Sequence, residues 1–303
     1  MHLKERGCIY QIDLEIIKKI IQSSKHIVVI PHANADPDAL ASACSLAYIL
    51  LTLNKNLEVH VVAPEGIGIE SRKIAELCLA NKIPIITIKK DFEEHFSRSP
   101  SCFLVDVASF DQLKILKSYI HQCRELVLID HHELHQYTPD FSSDINSKVV
   151  SKILCPEASS TSEIVYLLSK YLDIKLPTEF LEALISGIIW DTKRFLHASA
   201  STLRYVSEMI ELGANYVKSL SLIASPRPYH AKIARIKCIL RHRGYKLKLP
   251  LNEIFIAISE VGAYESDCAS TMINIGYDIA IVASEEETNT TRVVYRVRDD
   301  SIA

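Results

Sequence analysis

No C-x-x-C pair occurs in these 303 residues, although the chain holds eight cysteines scattered singly from Cys8 to Cys268. That absence argues against a zinc ribbon or a thioredoxin-type motif, and leaves the cysteines to be read as reduced, mostly buried thiols. Basic charge is not in excess either. Lys and Arg number 34 against 37 Asp and Glu, so a formal net charge of −3 offers no global field for nucleic acid or an acidic membrane. An anionic ligand would have to be held by local charges or by metal. No apolar run reaches the ~18 residues of a membrane span. The opening MHLKERGCIYQIDLEIIKKIIQSS reads as a charged helix with no apolar signal-peptide core. These absences together predict a cytoplasmic protein. Internal repeats and low-complexity tracts are missing too. What remains, 48% hydrophobic and 23% charged, is a globular composition with length for one large domain or two ordinary ones.

Apolar runs alternate with helical patterns through the first part of the chain. Residues 26–30, 58–63, 83–88, 101–106 and 125–130 read as strands, mostly apolar on both parities as strands covered on both faces are. Helices are expected over 39–53, 70–81 and 110–122. The alternation predicts an α/β fold, a parallel sheet with helices on both faces. From 157 to 213 the pattern turns helical, and 228–249 is strongly basic and opens as an amphipathic helix. Strands return at 253–261, 277–284 and 291–299. The expected division is a first domain over 1–213, a linker over 214–227 and a smaller α/β domain over 228–303, with a cleft between the domains.

The stretch HANADPD (32–38) sets a histidine and two aspartates in one turn between a strand and a helix. Asp36 before Pro37 is a helix N-cap signal, which accounts for Asp36 but not for His32 or Asp38. Asp106 and Asp130 also follow apolar strands directly, and the carboxyl ends of parallel strands form the ligand crevice of such sheets. Asp191 closes the apolar helix pattern FLEALISGIIWD. Each aspartate alone is what caps and turns use. Converging together, beside His32, His131 and His132, they would repel one another and call for a divalent cation. Carboxylate and imidazole without thiolate favour Mn²⁺ or Mg²⁺, with Zn²⁺ or Co²⁺ acceptable. Two such ions held ~3.5–4 Å apart by a shared carboxylate would polarise a phosphoryl group and acidify the attacking water. His131 and His135 stand at i, i+4, but the run is H-E-x-H rather than H-E-x-x-H, so a zinc protease is set aside.

HANADPD, LVDVAS (104–109), LIDHHE (128–133) and GIIWDTKRF (187–195) resemble, in order and spacing, the four motifs of the DHH phosphoesterase superfamily. EASSTSEIVYLL (157–168) and ASTLRYVSEMIELGA (200–214) resemble its flanking segments, so the resemblance covers roughly 24–215. It implies that His32 and Asp36 bind one metal, that Asp38, His131 and Asp191 bind a second, and that Asp106 bridges both. Asp130 would orient the metal-binding histidine, and Asn34 would sit near the cluster. His132 would serve the phosphate, since adjacent side chains at a strand end point apart. Lys193 stands where the family often has glycine and is a candidate phosphate contact.

The C-terminal stretch resembles, more loosely, the DHH-associated domain. Arg292, Arg296 and Arg298 share one face of a strand by period two, where an anion would relieve their repulsion. Arg298 is the first candidate for gripping substrate and Arg296 the second. The family's Gly-Gly loop has no counterpart among eight glycines, none adjacent, so the chain is either cut short here or lacks the loop. The basic run including Arg235 and Arg241 could guide a strand or be a solvated helix.

The reading is a Mn²⁺-dependent hydrolase of short RNA or DNA oligonucleotides or small nucleotides, of the nanoRNase or nucleotide-phosphatase type, with a homodimer left open. Rivals are a single-strand exonuclease, a cyclic-dinucleotide phosphodiesterase, a manganese pyrophosphatase and a catalytically dead scaffold.

Overall fold

The computed structural model describes residues 9–87, 89–132, 143–224, 228–250, 253–286 and 290–298. His135 and the first eight residues of the opening helix reading lie outside them. The chain divides into two compact units, 1–225 and 226–303.

In the first unit the elements are α1 (Gln11–Ser23), β1 (His26–Pro31), α2 (Pro37–Leu53), β2 (Glu58–Val62), α3 (Arg72–Ala80), β3 (Ile85–Ile86), α4 (Lys89–Phe96) and β4 (Ser101–Val105). They continue with β5 (Glu125–Asp130), α5 (Ser143–Asn146), β6 (Val149–Leu154), α6 (Thr161–Tyr171), α7 (Thr178–Asp191), α8 (Ala200–Glu211) and α9 (Tyr216–Leu222). The six strands form one sheet in the order β3-β2-β1-β4-β5-β6, every pairing parallel. Because β1, β4 and β5 are buried on both parities, successive residues feed two cores. Ile27, Val29, Phe103 and Val105 pack with α1, α2, α6 and α7 on one face. Val28, Ile30, Cys102 and Leu104 meet Phe92 and Phe96 of α4 on the other.

Two features place the site. The chain winds outward through β2 and β3 on one side of β1, then through β4, β5 and β6 on the other. The switch point therefore lies between β1 and β4, where a crevice opens at the strands' carboxyl ends. The register then sets the row: Pro31 pairs with Val105 and Val105 with Ile129, so His32, Asp106 and Asp130 follow side by side.

Several expectations need correcting. Residues 110–122 form 3-10 turns, Phe110–Ser118 and Ile120–Gln122, rather than an α-helix. Leu113, Leu116 and Tyr119 are buried at intervals of three, which suits three residues per turn. The strand expected over 83–88 shrinks to Ile85–Ile86. Residues 216–222, read as aperiodic linker, form α9 and pack on α7. The reduced-thiol reading also gives way: Cys44 of α2 is bridged to Cys78 of α3, and Cys102 of β4 to Cys123. Their Cα atoms stand 6.1 and 5.9 Å apart, within disulfide reach, because each pair faces across one packed core. Cys238 and Cys268 are free and buried. The cysteines therefore give no argument for a reducing compartment. Among the described residues, no helix is long and apolar enough to cross a membrane.

The second unit holds α10 (Tyr229–Arg241), β7 (Arg243–Lys248), β8 (Glu253–Glu260), α11 (Glu265–Asn274), β9 (Ile279–Glu286) and β10 (Thr290–Val297). Its sheet runs β10-β9-β8-β7; β8 and β9 pair in parallel across α11, and the other pairs are antiparallel. A small core of Cys238, Ala257, Cys268, Met272, Ala280 and Val282 joins sheet and helices.

Candidate metal centre

Asp36 caps α2 as its sequence signal predicts, accepting from the Ala39 N–H at 3.0 Å, with Pro37 in the first helical position. The cap leaves its carboxylate 3.7 Å from His32 Nε2, and His32 Nε2 is also 3.7 Å from Asp106 Oδ2. Asp38, fully buried in the first turn of α2, lies against the N-terminus of α6. Its two oxygens accept from the Thr161 and Ser162 N–H groups at 2.7 and 3.0 Å, the anion-binding use of a helix start. Asp106 follows β4 in the left-handed region, φ 58°, which an L-residue enters at a cost of roughly 1–2 kcal/mol. Its N–H donates to Ile129 and its Oδ1 accepts from Thr161 Oγ1 at 2.9 Å. Asp191, the last residue of α7, stands 3.0 Å from His131 Nε2, which is 3.5 Å from Asp106 Oδ1.

Potential ligand atoms therefore gather within 4.8 Å of one another in three overlapping sets: His32, Asp36 and Asp106; Asp38, His131 and Asp191; Asp106, Asp130, His131 and His132. Asp106 belongs to two of them, and so does His131. Burial and the neighbouring Asp191 and Asp106 charges push Asp38 well above the usual carboxylate range. Burial and the Asp130 charge raise Asp106 to about 7. Burial works against protonating the histidines, but bonded and nearby carboxylates outweigh it and raise His32 to about 9 and His131 to about 10. Buried negative charge of this kind, presented by oxygen and imidazole donors, fits divalent cations.

The Asp130–histidine contact differs from the sequence reading. Asp130 Oδ1 accepts from the backbone N–H of His132 at 3.0 Å and from its ring Nδ1 at 2.6 Å, so Asp130 orients His132, the neighbour of the histidine expected to bind metal. That bond raises His132 above its ordinary range against the pull of burial. Nor do the two histidines point apart: their ring centroids are 4.3 Å apart. Asn34 is exposed and left-handed, φ 53°, and its N–H donates to Pro64, which makes it a shaper of the turn. Lys193, also exposed, opens a run of three left-handed residues after α7 and lines a cavity of about 630 Å³ with Trp190, Arg194 and Leu220. Arg296 and Arg298 belong to the second unit. The three arginines read there as a repelling stack each have a partner: Arg292 with Glu286, Arg296 with Ser266, Arg298 with Asp278 and the Ile273 carbonyl.

Two positions escape sequence reasoning. Thr161 holds both Asp38 and Asp106, through its N–H and its hydroxyl. Gly187 lets α7 cross α2 and α6 closely: a Cβ there would overlap Ser162 Oγ and come 2.7 Å from Asp38 Oδ1. A lone glycine in the apolar helix LISGIIWD is the signal that could have exposed it.

Carboxylates and imidazoles gathered at the switch point of a parallel sheet make a site for divalent metal, the setting of the metal-dependent phosphoesterases to which the family match assigns this chain. The model of the DHH family, N-terminal domain, matches residues 26–188, and the chain belongs to that family, within the DHH phosphoesterase superfamily. An uncharacterized protein of Methanocaldococcus jannaschii is 30% identical over 273 residues, which cover 90% of this chain and 76% of that protein. The cyclic-di-AMP phosphodiesterase GdpP of Bacillus subtilis is 24% identical over 279 residues, 90% of this chain but 41% of that one. Among solved structures, an exopolyphosphatase-related protein from Bacteroides fragilis superposes with a TM-score of 0.72 at 17% identity, covering 97% of this chain and 85% of that chain. At that identity the likeness shows the fold.

Proposed function

We propose that this protein is a Mn²⁺-dependent phosphodiesterase or phosphatase that hydrolyses short oligonucleotides or small nucleotides by in-line attack of water. The observation that carries the reading is Asp106, whose carboxylate is common to one donor set with His32 and Asp36 and to another with His131. Divalent ions bound there would supply Lewis acidity and lower the pKa of the attacking water. In this reading His32 and Asp36 hold one ion, Asp38, His131 and Asp191 hold a second, and Asp106 serves both. Thr161 fixes Asp38 and Asp106 relative to each other, so the two ligand sets keep their spacing through turnover. Asp130 accepts a hydrogen bond from His132 Nδ1, which leaves Nε2 to face a phosphoryl oxygen. His132, whose hold on its proton Asp130 strengthens, can then stabilise developing charge or donate to the leaving oxygen.

Arg296 and Arg298 are the candidate phosphate anchors. Arg298 already bonds the Ile273 carbonyl and faces Asp278, whereas Arg296 donates to a serine hydroxyl, so Arg296 now stands first. Lys193 is a further candidate on the first unit. With so few anchors, affinity should saturate within a few nucleotides. A Mn²⁺ panel of dinucleotides, longer RNA and DNA, 3′-phosphoadenosine 5′-phosphate, cyclic dinucleotides and pyrophosphate tests the reading. Short linear substrates should give kcat/KM at least equal to that of long ones. A steep rise with length, lost when Arg235 and Arg241 are neutralised, would make the protein an exonuclease instead. Cyclic-dinucleotide hydrolysis is the second reading, favoured by the Bacillus subtilis relative aligned over 90% of this chain. The same panel separates the two.

A further inference from the structure

At the opposite end of the first unit's sheet, three histidines meet that the proposed chemistry does not use. His26 opens β1, His60 lies on β2 opposite Val28, and His95 belongs to the last turn of α4. All three occupy the sheet face that α4 covers, since Val28, Ile30 and Val62, at even spacing from His26 and His60, pack there with Phe92 and Phe96. His26 and His95 are buried, 6% and 8% exposed, and the His60 side chain is 12% exposed. The ring centroids lie 4.3 to 5.5 Å apart, and one ring nitrogen from each residue falls within 4.8 Å of the others.

Two details favour a ligand over a packed aromatic cluster. The buried Nδ1 of His95 has no hydrogen-bond partner, a costly way to leave a polar atom in a core. His26 Nε2 and His60 Nδ1 stand 3.3 Å apart. Two imidazole ligands at ~2.0–2.1 Å from a tetrahedral ion are separated by about 3.4 Å, so this edge needs almost no adjustment. We propose that His26, His60 and His95 form a second metal site, distinct from the carboxylate centre, that takes Zn²⁺.

Donor chemistry selects the ion. Three imidazoles with no carboxylate among them suit Zn²⁺ and its borderline neighbours and are poor ligands for Mn²⁺ or Mg²⁺, which prefer oxygen. Burial and the Arg98 charge push His26 down to about 4, so the ring is neutral at neutral pH and one of its nitrogens carries a free lone pair. Glu58 lies 3.9 Å from His60 Nε2 and is itself gripped by Arg98 through two bonds of 2.8 and 2.7 Å. A bound ion would fasten α4 to β1 and β2.

The test uses the full chain, stripped with chelator, and reads Zn²⁺ as a difference between wild type and variant, because Zn²⁺ also competes with Mn²⁺ at the carboxylate centre. Equilibrium dialysis against Zn²⁺, with elemental analysis, should give one more Zn²⁺ per chain in the wild type than in His60→Asn or His95→Gln, whose binding at that site should weaken at least tenfold. Unaltered Zn²⁺ binding in both variants overturns the proposal. Should a variant fail to fold, X-ray absorption on the wild-type Zn²⁺ protein decides alone. About three imidazole nitrogens at ~2.0 Å support the site, and an oxygen-dominated shell overturns it. Because metal content is read and not hydrolysis, the result stands apart from the fate of the phosphoesterase reading.

Discussion

Strand β1 carries a histidine at each end, and the two are driven in opposite directions. His32, just beyond its carboxyl end, is raised to about 9, while His26, its first residue, is lowered to about 4. Burial pushes both rings toward neutrality. At His32 that push is overcome by Asp36 and Asp106; at His26 it is reinforced by Arg98, His60 and His95, with Glu58 alone opposing. The difference lies in what a parallel sheet delivers to its two ends. At the carboxyl ends, aspartates from the β1, β4 and β5 turns and from α7 converge on one volume. At the amino ends, the neighbours come from the strands themselves and from α4, and here those neighbours are imidazoles. One strand thus presents a cation among anions at one end and a neutral nitrogen donor at the other.

Neutralising the acidic end should break the contrast most severely. Asp106→Asn should abolish hydrolysis, a loss of at least ~10³, and lower bound Mn²⁺ measured after dialysis. Near-normal turnover would remove Asp106 from the centre. The same variant reports on charge. In the metal-free folded protein this carboxyl is raised from 3.8 to about 7, so it holds its proton more tightly than in the unfolded chain. Stability from this group is therefore lost as pH rises from about 4 to about 7. In chelator, Asp106→Asn should gain on the wild type in urea midpoint between pH 5 and pH 8; a constant difference would contradict the linkage.

His132→Gln comes next. It should keep its metal and lose ~10² to 10⁴ in kcat, because the bond to Asp130 positions a proton donor rather than a ligand. Metal lost in step with activity would move His132 among the ligands. Gly187→Ala should act more mildly and on affinity. A Cβ 2.7 Å from Asp38 Oδ1 and 3.0 Å from its Cα forces α7 outward, so Mn²⁺ affinity should fall ~10- to 100-fold and stability by ~1–3 kcal/mol. Unchanged metal titration would show that α7 yields without disturbing Asp38.

The acidic end is more legible in sequence than the imidazole end, for physical reasons. His32, Asp106 and Asp130 each stand at the close of an apolar strand pattern, where the sheet must bring them together. His26, His60 and His95 are separated by more than thirty residues each and sit inside elements, where a histidine reads as ordinary filling. Thr161 is hidden because Ser160 beside it supplies the helix cap, accepting from the Glu163 N–H. The ring geometry of His131 and His132 depends on the turn after β5, which period-two reasoning cannot reach. Among the elements, β6 is hard to read because Ser151 and Lys152 break its apolar pattern on the sheet edge. Strand β7, exposed along its whole length, continues the basic composition of α10, which hides the short alternation of Tyr245, Lys246, Leu247 and Lys248. Arg292 and Arg296 lie on β10 and Arg298 just beyond it, and neighbouring side chains already neutralise or bond them.

The smallest effect is expected where the two ends should be independent. His26 and His32 bracket a strand of six residues, roughly 20 Å of extended chain, and α4 contributes no donor to the carboxylate sets. Side chains this far apart, without shared partners, usually act additively. His95→Gln, assayed in saturating Mn²⁺, should therefore leave kcat and KM within about twofold of wild type even while it disturbs α4. A thermal melt on the same sample establishes that the variant is folded at the assay temperature. If kcat instead falls tenfold with Mn²⁺ content intact, the ends are coupled through β1. Pro31, paired with Val105 just before His32 and Asp106, would then be the place to look for the coupling.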